Sequence, residues 1–269
     1  MIDAGAHGFV TPVNTGEFYT LSDDERRRMT EIVISQAKGR VPVVIGTAAP
    51  ATATAEALTR HARETGTAGV IAMPPFVVRP DSESMRDYYM RIGRAAGELP
   101  VVLQNAGGEV GMPLTPEAVS RLTEDVPAIR YVKEETTPST HRISEVLRLA
   151  GGRLSGVFGG SGGRFFLDEL KRGACGLMSG GHLVDSQVKA YNLLRAGRED
   201  EAQAVFVRQL PVQNLWALLG LRVSKEILRR RGVFRTNVCR RAAAELDKGD
   251  LAELDLALAL VQPDLSVGS

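Results

Sequence analysis

Residues 41–73 read VPVVIGTAAPATATAEALTRHARETGTAGVIAM, and this stretch decides the fold class. Its two apolar runs, 41–45 and 69–73, do not alternate with polar residues and are rich in β-branched side chains. Strands buried on both faces have this composition, which is typical of a parallel sheet covered by helices. Between the runs, residues 52–65 carry Ala and Leu at helical spacing. The stretch therefore predicts a strand–helix–strand unit of an α/β fold.

The same pattern continues along the chain. Apolar runs of this kind stand at 8–10, 41–45, 69–73, 100–103, 129–132, 156–158 and 176–178. The stretches between them indicate helices, at a repeat of about 20 to 30 residues that suits a βα unit. Ser22 and Glu25 form a capping box, and Thr115 followed by Pro116 is typical of a helix start. The sequence thus predicts seven strands in a parallel sheet.

The number of strands leaves two architectures open. A (β/α)8 TIM barrel has eight strands and typically needs ~250 residues, which the 269 residues of this chain allow. Because residues 1–8 resemble the end of a helix followed by a glycine turn, we interpret the fold as such a barrel. In this interpretation the first strand and most of the first helix are missing from the chain. The alternative is an open seven-stranded α/β sheet, whose edges would be exposed.

The chain changes character after the last predicted strand. From Asp185 onward, helical periodicity marks the segments 186–196, 199–219, 222–231, 236–247 and 251–261. We therefore expect a barrel over residues 1–184 and a C-terminal helical region over 185–269. No low-complexity linker separates them, so the helical region is predicted to pack on the barrel as one structural unit.

Composition limits the classes of partner. The chain has 33 Lys and Arg against 32 Asp and Glu, so no overall field attracts nucleic acid or an anionic membrane. No apolar stretch is long enough to span a bilayer. Cys175 and Cys239 lack metal-ligand spacing, and the histidines form no metal pattern. We expect neither a metal nor another cofactor, and a reducing, cytoplasmic setting.

Lys133 is the first candidate for chemistry. Barrel enzymes carry their active sites at the carboxyl ends of the strands, and Lys133 ends a largely apolar run there. Partial burial lowers the pKa of an amine and makes it a nucleophile near neutral pH. Attack on a ketone gives an iminium ion, an electron sink for cleavage or elimination at the neighbouring carbons. The alternative is a structural lysine paired with Glu134 or Glu135 at the rim.

Two loops at the same predicted edge offer groups for a ligand. Asn14, Thr15 and Gly16 place amide, hydroxyl and backbone N–H donors in one turn, which suits a carboxylate, although an ordinary capped turn has the same residues. The glycine-rich loop 159–163 allows a close backbone approach, but it has neither Walker nor Rossmann spacing. His182 also falls near this edge, where we favour a structural role.

These residues resemble a known family. Thr15-Gly16-Glu17, the run 43–47, Met73-Pro74-Pro75 and Val132-Lys133-Glu134 with Thr136 are similar to the dihydrodipicolinate synthase / N-acetylneuraminate lyase superfamily, in order and over nearly the whole chain. The resemblance implies a (β/α)8 barrel, usually a homotetramer, that forms an imine between Lys133 and a 2-oxo acid. It also implies that Asn14 and Thr15 hold the carboxylate. The residues predicted to bind substrate are Asn14, Thr15, Gly16, Thr47, Gly160, Ser161, Met178 and Ser179.

Three positions depart from the family pattern. Gln104 stands where the family usually has a proton-shuttling tyrosine, and glutamine is neither an acid nor a base near neutral pH. Glu109 stands near the place of an arginine that binds the second substrate of the synthases. Phe76 replaces a tyrosine that neighbouring subunits exchange. We therefore expect this chain not to be an authentic dihydrodipicolinate synthase, and we group Gln104 with Lys133 as the catalytic pair.

Gln104 and the segment 178–181 resemble the 2-keto-3-deoxy sugar acid dehydratase branch of the superfamily. The predicted function is a Schiff-base-forming lyase that acts on a 2-oxo acid by aldol chemistry or by dehydration, with Ser161 and Ser179 as hydroxyl partners. One alternative is a catalytically impaired relative that binds a 2-oxo acid or serves a structural role. A weaker one is a phosphate-dependent barrel enzyme. The expected partners are the 2-oxo acid and further copies of the chain, as a dimer or tetramer.

Overall fold

A computed structural model describes residues 1–107 and 111–266, and within them the strands form one parallel sheet. Its seven strands pair in chain order from the first to the seventh. They are β1 (Phe9–Thr11), β2 (Val43–Gly46), β3 (Gly69–Ala72), β4 (Val101–Asn105), β5 (Ile129–Glu134), β6 (Gly156–Gly159) and β7 (Gly176–Leu177). Each predicted apolar run overlaps one of them. β3 and β4 are buried along their whole length, as the lack of alternation predicted.

Helices connect successive strands. They are α1 (Asp23–Ala37), α2 (Thr52–Thr65), α3 (Ser82–Ala96), α4 (Pro116–Asp125), α5 (Ser139–Ala150) and α6 (Phe166–Lys171). The predicted capping box is confirmed: Ser22 Oγ accepts from Glu25 N at 3.2 Å, and Glu25 Oε2 accepts from Ser22 N at 2.8 Å. Thr115 caps α4, with Pro116 in its first turn. The α/β fold class is therefore confirmed, with a parallel sheet.

Four of the five predicted C-terminal helical segments form helices. They are α7 (Val184–Arg195), α8 (Glu199–Leu219), α9 (Leu221–Arg230) and α10 (Lys248–Val261). The helix predicted over 236–247 is wrong, because these residues are irregular. Side chains bind the carbonyls that a helix would use: Arg222 donates to Ala243 O at 2.9 Å, and Lys225 Nζ donates to Val238 O at 2.8 Å. Tertiary contacts of this kind override the helix propensity of an alanine-rich stretch.

The chain divides into two compact units. The sheet unit comprises residues 8–160 and 168–178, and the helical unit comprises residues 1–7, 161–167 and the chain from 179 onward. The predicted boundary between 184 and 185 stays a prediction. No helix in the described ranges has the length and apolar character needed to cross a membrane.

A buried ion pair organises the helical unit. Arg231 donates to both carboxylate oxygens of Asp185, at 3.2 and 2.5 Å, and to the His182 carbonyl at 2.8 Å. His182 is fully buried, with Nδ1 3.1 Å from Ser224 Oγ. Burial, together with the positive charge of Arg231, lowers the pKa of His182 to about 4. The imidazole is therefore uncharged at neutral pH, which agrees with the structural role favoured for it.

Candidate active site

The sheet places most of the predicted site residues at the carboxyl-terminal ends of its strands. Parallel strands point their carboxyl ends the same way, and the residues in question end or follow those strands. Those of the sheet unit are Asn14, Thr15 and Gly16 after β1, Thr47 after β2, Gln104 on β4, Lys133 on β5, Gly160 after β6 and Met178 after β7. Ser161 and Ser179 belong to the helical unit, where Ser179 Oγ donates to Gln187 Oε1 at 2.5 Å. Glu109 lies outside the described residues.

Lys133 and Gln104 converge on one carboxylate. The two residues are partners in the register of β4 and β5. Lys133 is 5% exposed, and its Nζ lies 3.0 Å from Glu135 Oε2. Gln104 Nε2 donates to the same oxygen at 2.8 Å. The Lys133 amine and the Gln104 amide are therefore each within hydrogen-bond distance of the same carboxylate oxygen.

Glu134 turns away from this group. It is fully buried and accepts from Asn105 Nδ2 at 2.7 Å, from Thr136 N at 2.8 Å and from Thr136 Oγ1. Burial raises the pKa of Glu134, and these donors oppose the rise. Asn105 also binds the backbone of Leu114 through both its amide oxygen and its amide nitrogen. Glu134 thus anchors the segment that follows the strand, and Glu135 is the carboxylate that can exchange protons with Lys133.

A sequence signal could have separated the two glutamates. Successive side chains of an extended strand point to opposite faces, so residues two apart share a face. Lys133 and Glu135 are two apart, and Glu134 lies between them. The contact of Glu135 with Lys133 was not predicted, because the two glutamates had been treated as equivalent partners of the lysine.

Gly160 makes room for Glu135. A Cβ atom on Gly160 would lie 2.3 Å from Glu135 Oε1 and 2.4 Å from its Cγ, distances that force a shift. We therefore expect Gly160→Ala to displace the carboxylate and to lower kcat by about 10- to 100-fold, since a misplacement of about 1 Å has an effect of this size. The measurement is steady-state kinetics at the pH of maximum activity.

Gly107→Ala is the matched control for this change. Gly107 also follows a strand at this edge, and a Cβ there meets no atom of the described residues within 4 Å. It should retain the kcat of the unmodified chain. A Gly160→Ala variant with undiminished kcat would contradict the close approach between Gly160 and Glu135.

The loop after β1 is a turn in which some of the polar groups already form hydrogen bonds within the chain. Gly16 N donates to Val13 O at 2.7 Å, so the Gly16 amide shapes the turn. Asn14 Oδ1 and Thr47 Oγ1 are buried, and neither has a hydrogen-bond partner among the described residues. Because buried polar atoms are normally paired, these two mark a place for a polar ligand group. The exchange of O and N in the Asn14 amide would present a donor there.

A further buried carboxyl lies in the sheet unit. Glu169 on α6 is 1% exposed, and Ser139 Oγ donates to its Oε1 at 2.5 Å. Burial raises the pKa of Glu169 to about 7, and the negative charges of Glu135, Asp168 and Glu134 add to the effect. The folded chain therefore keeps a proton that the unfolded chain loses near pH 4.5. The free energy of unfolding contributed by this group decreases as the pH rises from 4.5 to about 7.

Comparison with known proteins identifies the family. The sequence profile described as the dihydrodipicolinate synthetase family matches residues 1–260. The chain belongs to this family. Its members are Schiff-base-forming lyases that act on 2-oxo acids, so the predicted lyase class is confirmed, and the alternative of a catalytically impaired relative is not favoured.

Three relatives show how far the similarity extends. An L-2-keto-3-deoxyarabonate dehydratase of Azospirillum brasilense is 31% identical over 263 residues, which cover 96% of this chain and 84% of that protein. A 4-hydroxy-tetrahydrodipicolinate synthase of Trichlorobacter lovleyi is 40% identical over 161 residues, 59% of this chain and 53% of that protein. A dihydrodipicolinate synthase of Rhodopseudomonas palustris, known from its crystal structure, is 28% identical in sequence. The structural match covers 96% of this chain and 87% of that one, with a TM-score of 0.86.

Proposed function

We propose that this lyase removes water from a 2-keto-3-deoxy sugar acid through an imine on Lys133. The observation that carries the proposal is the contact of Glu135 with both Lys133 and Gln104. It supplies an acid–base group beside the amine in a site where Gln104 replaces the tyrosine of the family pattern. The dehydratase of Azospirillum brasilense, similar over 96% of this chain, supports the same branch.

The first step is formation of the imine. The Lys133 amine attacks the C2 ketone in its uncharged form, after giving one proton to Glu135 Oε2, 3.0 Å away. A second proton passes from the attached nitrogen to the C2 oxygen, which becomes the hydroxyl of the adduct. The same carboxyl then gives a proton to the C2 hydroxyl of the adduct, which leaves as water. The product is an iminium ion that joins C2 to Nζ.

The second step is the elimination. The iminium acidifies the C3 hydrogens, and the Glu135 carboxylate removes one of them, so that the electron pair of the C–H bond forms an enamine. The enamine expels the C4 hydroxyl, which takes the proton from Glu135 and leaves as water. Hydrolysis of the resulting conjugated iminium releases the product and restores Lys133. Gln104 takes part only by donating to Oε2, which keeps the carboxylate in place.

The remaining residues are assigned to binding. We assign the substrate carboxylate to Asn14, Thr15 and Thr47, on the strength of the two unpartnered buried atoms in this loop region. Gly16 shapes the turn, and Gly160 leaves space for Glu135. Met178, Ser161 and Ser179 stay predictions as contacts of the rest of the substrate.

Architecture and assembly complete the proposal. The strands are parallel and pair in chain order, which supports a (β/α)8 barrel. Within the described residues, β1 and β7 are the edge strands of the sheet, and in such a barrel an eighth strand would pair with both of them. We propose a homo-oligomer, a dimer or tetramer, and its 2-oxo acid substrate as the partners. The cytoplasmic setting stays a prediction from cysteine content.

A substrate comparison tests the proposed function. The purified chain is given 2-keto-3-deoxy-L-arabonate in one assay and pyruvate with a series of aldehydes in another, and the products are followed by proton NMR. We expect loss of water from the 2-keto-3-deoxy acid and no condensation of pyruvate. Condensation without dehydration would contradict the proposal and favour the aldolase branch.

A further inference from the structure

Glu169 is a buried carboxyl that the proposed reaction does not use. Its Oε1 accepts from Ser139 at the first residue of α5. Its other oxygen lies against the end of β6, because a Cβ on Gly159 would be 1.9 Å from Oε2 and 2.7 Å from Cδ. Glu169 therefore contacts both the start of α5 and the end of β6.

These two contacts frame Glu135. Gly160, the next residue after Gly159, packs against the Glu135 side chain. Ser139 begins the helix that follows the short segment from Glu135 onward. Two glutamates, 135 and 169, thus occupy the space left by two consecutive glycines. A shift of Glu169 would move Gly159, and with it Gly160, against which the Glu135 side chain packs.

We propose that Glu169 is a positioning residue: its carboxyl ties the start of α5 to the end of β6 and so holds Glu135 against Lys133. The inference rests on the proposed function, because it assigns Glu169 through the role of Glu135. Glu169 itself does not touch the reacting atoms.

The charges around Glu169 explain why the uncharged form is the active one. Glu134 and Glu135 approach it from β5 and the segment that follows, Asp168 lies on its own helix, and Lys133 pairs with Glu135. Ionisation of Glu169 adds a negative charge that repels Glu135 and attracts Lys133. Because burial and these carboxylates raise the pKa of Glu169 to about 7, the rate should decrease as the pH rises through that value.

Two variants of Glu169 test this role. Glu169→Gln keeps the shape and the acceptor for Ser139 but cannot ionise, so its kcat should equal that of the unmodified chain at low pH and should not decrease near pH 7. Glu169→Ala removes the contacts, so its kcat should fall by about tenfold or more with a small change in KM. Both are measured as kcat and KM between about pH 5 and 9, with thermal unfolding as a check of the fold.

Glu145→Gln is the matched control. Glu145 is a more exposed glutamate on α5 that pairs with Arg148, and its change should leave the pH profile as it was. A Glu169→Gln profile identical to that of the unmodified chain would overturn the inference. If Glu169→Ala does not fold, the Glu169→Gln profile decides alone.

The same data separate this inference from the proposed function. If the unmodified chain dehydrates its substrate and is trapped by borohydride at Lys133 while Glu169→Gln leaves the pH profile unchanged, only the inference fails. If the unmodified chain neither dehydrates nor traps, the proposed function fails and the inference is overturned with it.

Discussion

Replacing Lys133 with arginine is expected to abolish dehydration and to leave the fold intact. Arginine keeps the positive charge beside Glu135, so this half-buried carboxylate is not left without a counter-ion. A guanidinium stays protonated and does not attack a ketone, so the imine cannot form. The measurements are turnover of the 2-keto-3-deoxy acid and circular dichroism of the purified variant.

The control for this change is Lys248→Arg. Lys248 is exposed at the start of α10 in the helical unit, and its substitution should leave turnover as it was. Lys133→Ala gives a second test without the charge. Turnover by a folded Lys133→Arg variant at a rate near that of the unmodified chain would show that the reaction does not pass through this amine.

Replacing Glu135 with glutamine should lower kcat by about 10²- to 10⁴-fold, the usual contribution of a general acid–base group. Glutamine can still accept from Gln104 and still packs against Gly160, so KM should change little. The variant cannot remove a proton from C3. In D2O it should therefore lose the exchange of the C3 hydrogens for deuterium, which NMR detects without any need for turnover.

Borohydride trapping and a control variant accompany the exchange measurement. Glu135→Gln should still be trapped at Lys133 by pyruvate and borohydride, although more slowly, because the amine remains. Glu145→Gln serves again as the control and should exchange the C3 hydrogens normally. Undiminished exchange in Glu135→Gln would assign the proton transfer to another group and remove Glu135 from the mechanism.

The elements that local signals determine could be predicted from the sequence. Unalternating apolar runs indicated the seven strands, and β3 and β4 are buried along their whole length, as such runs imply. Two helix starts were indicated by residues at most three positions apart in the sequence, namely Ser22 with Glu25 and Thr115 with Pro116. The helix predicted over 236–247 was wrong because Arg222 and Lys225, on a different helix, bind its carbonyls.

The site could be predicted only in part, for the same reason. Lys133 was proposed because it lies near the end of an apolar run, and Gln104 because it departs from the family pattern; both stay predictions. The contact of Glu135 with Lys133 could have been predicted from strand alternation, because residues two apart point to the same face of a strand. The contact between Ser139 and Glu169 joins residues 30 apart, so only the packing of α6 against α5 and β6 reveals it.

Reductive trapping shows whether Lys133 forms the imine. The chain is incubated with pyruvate and sodium borohydride, digested, and mapped by mass spectrometry, beside Lys133→Arg under the same conditions. We expect one added pyruvate-derived mass, located on Lys133 and absent from the variant. An adduct on another lysine, or none in a chain that turns over its substrate, would contradict it.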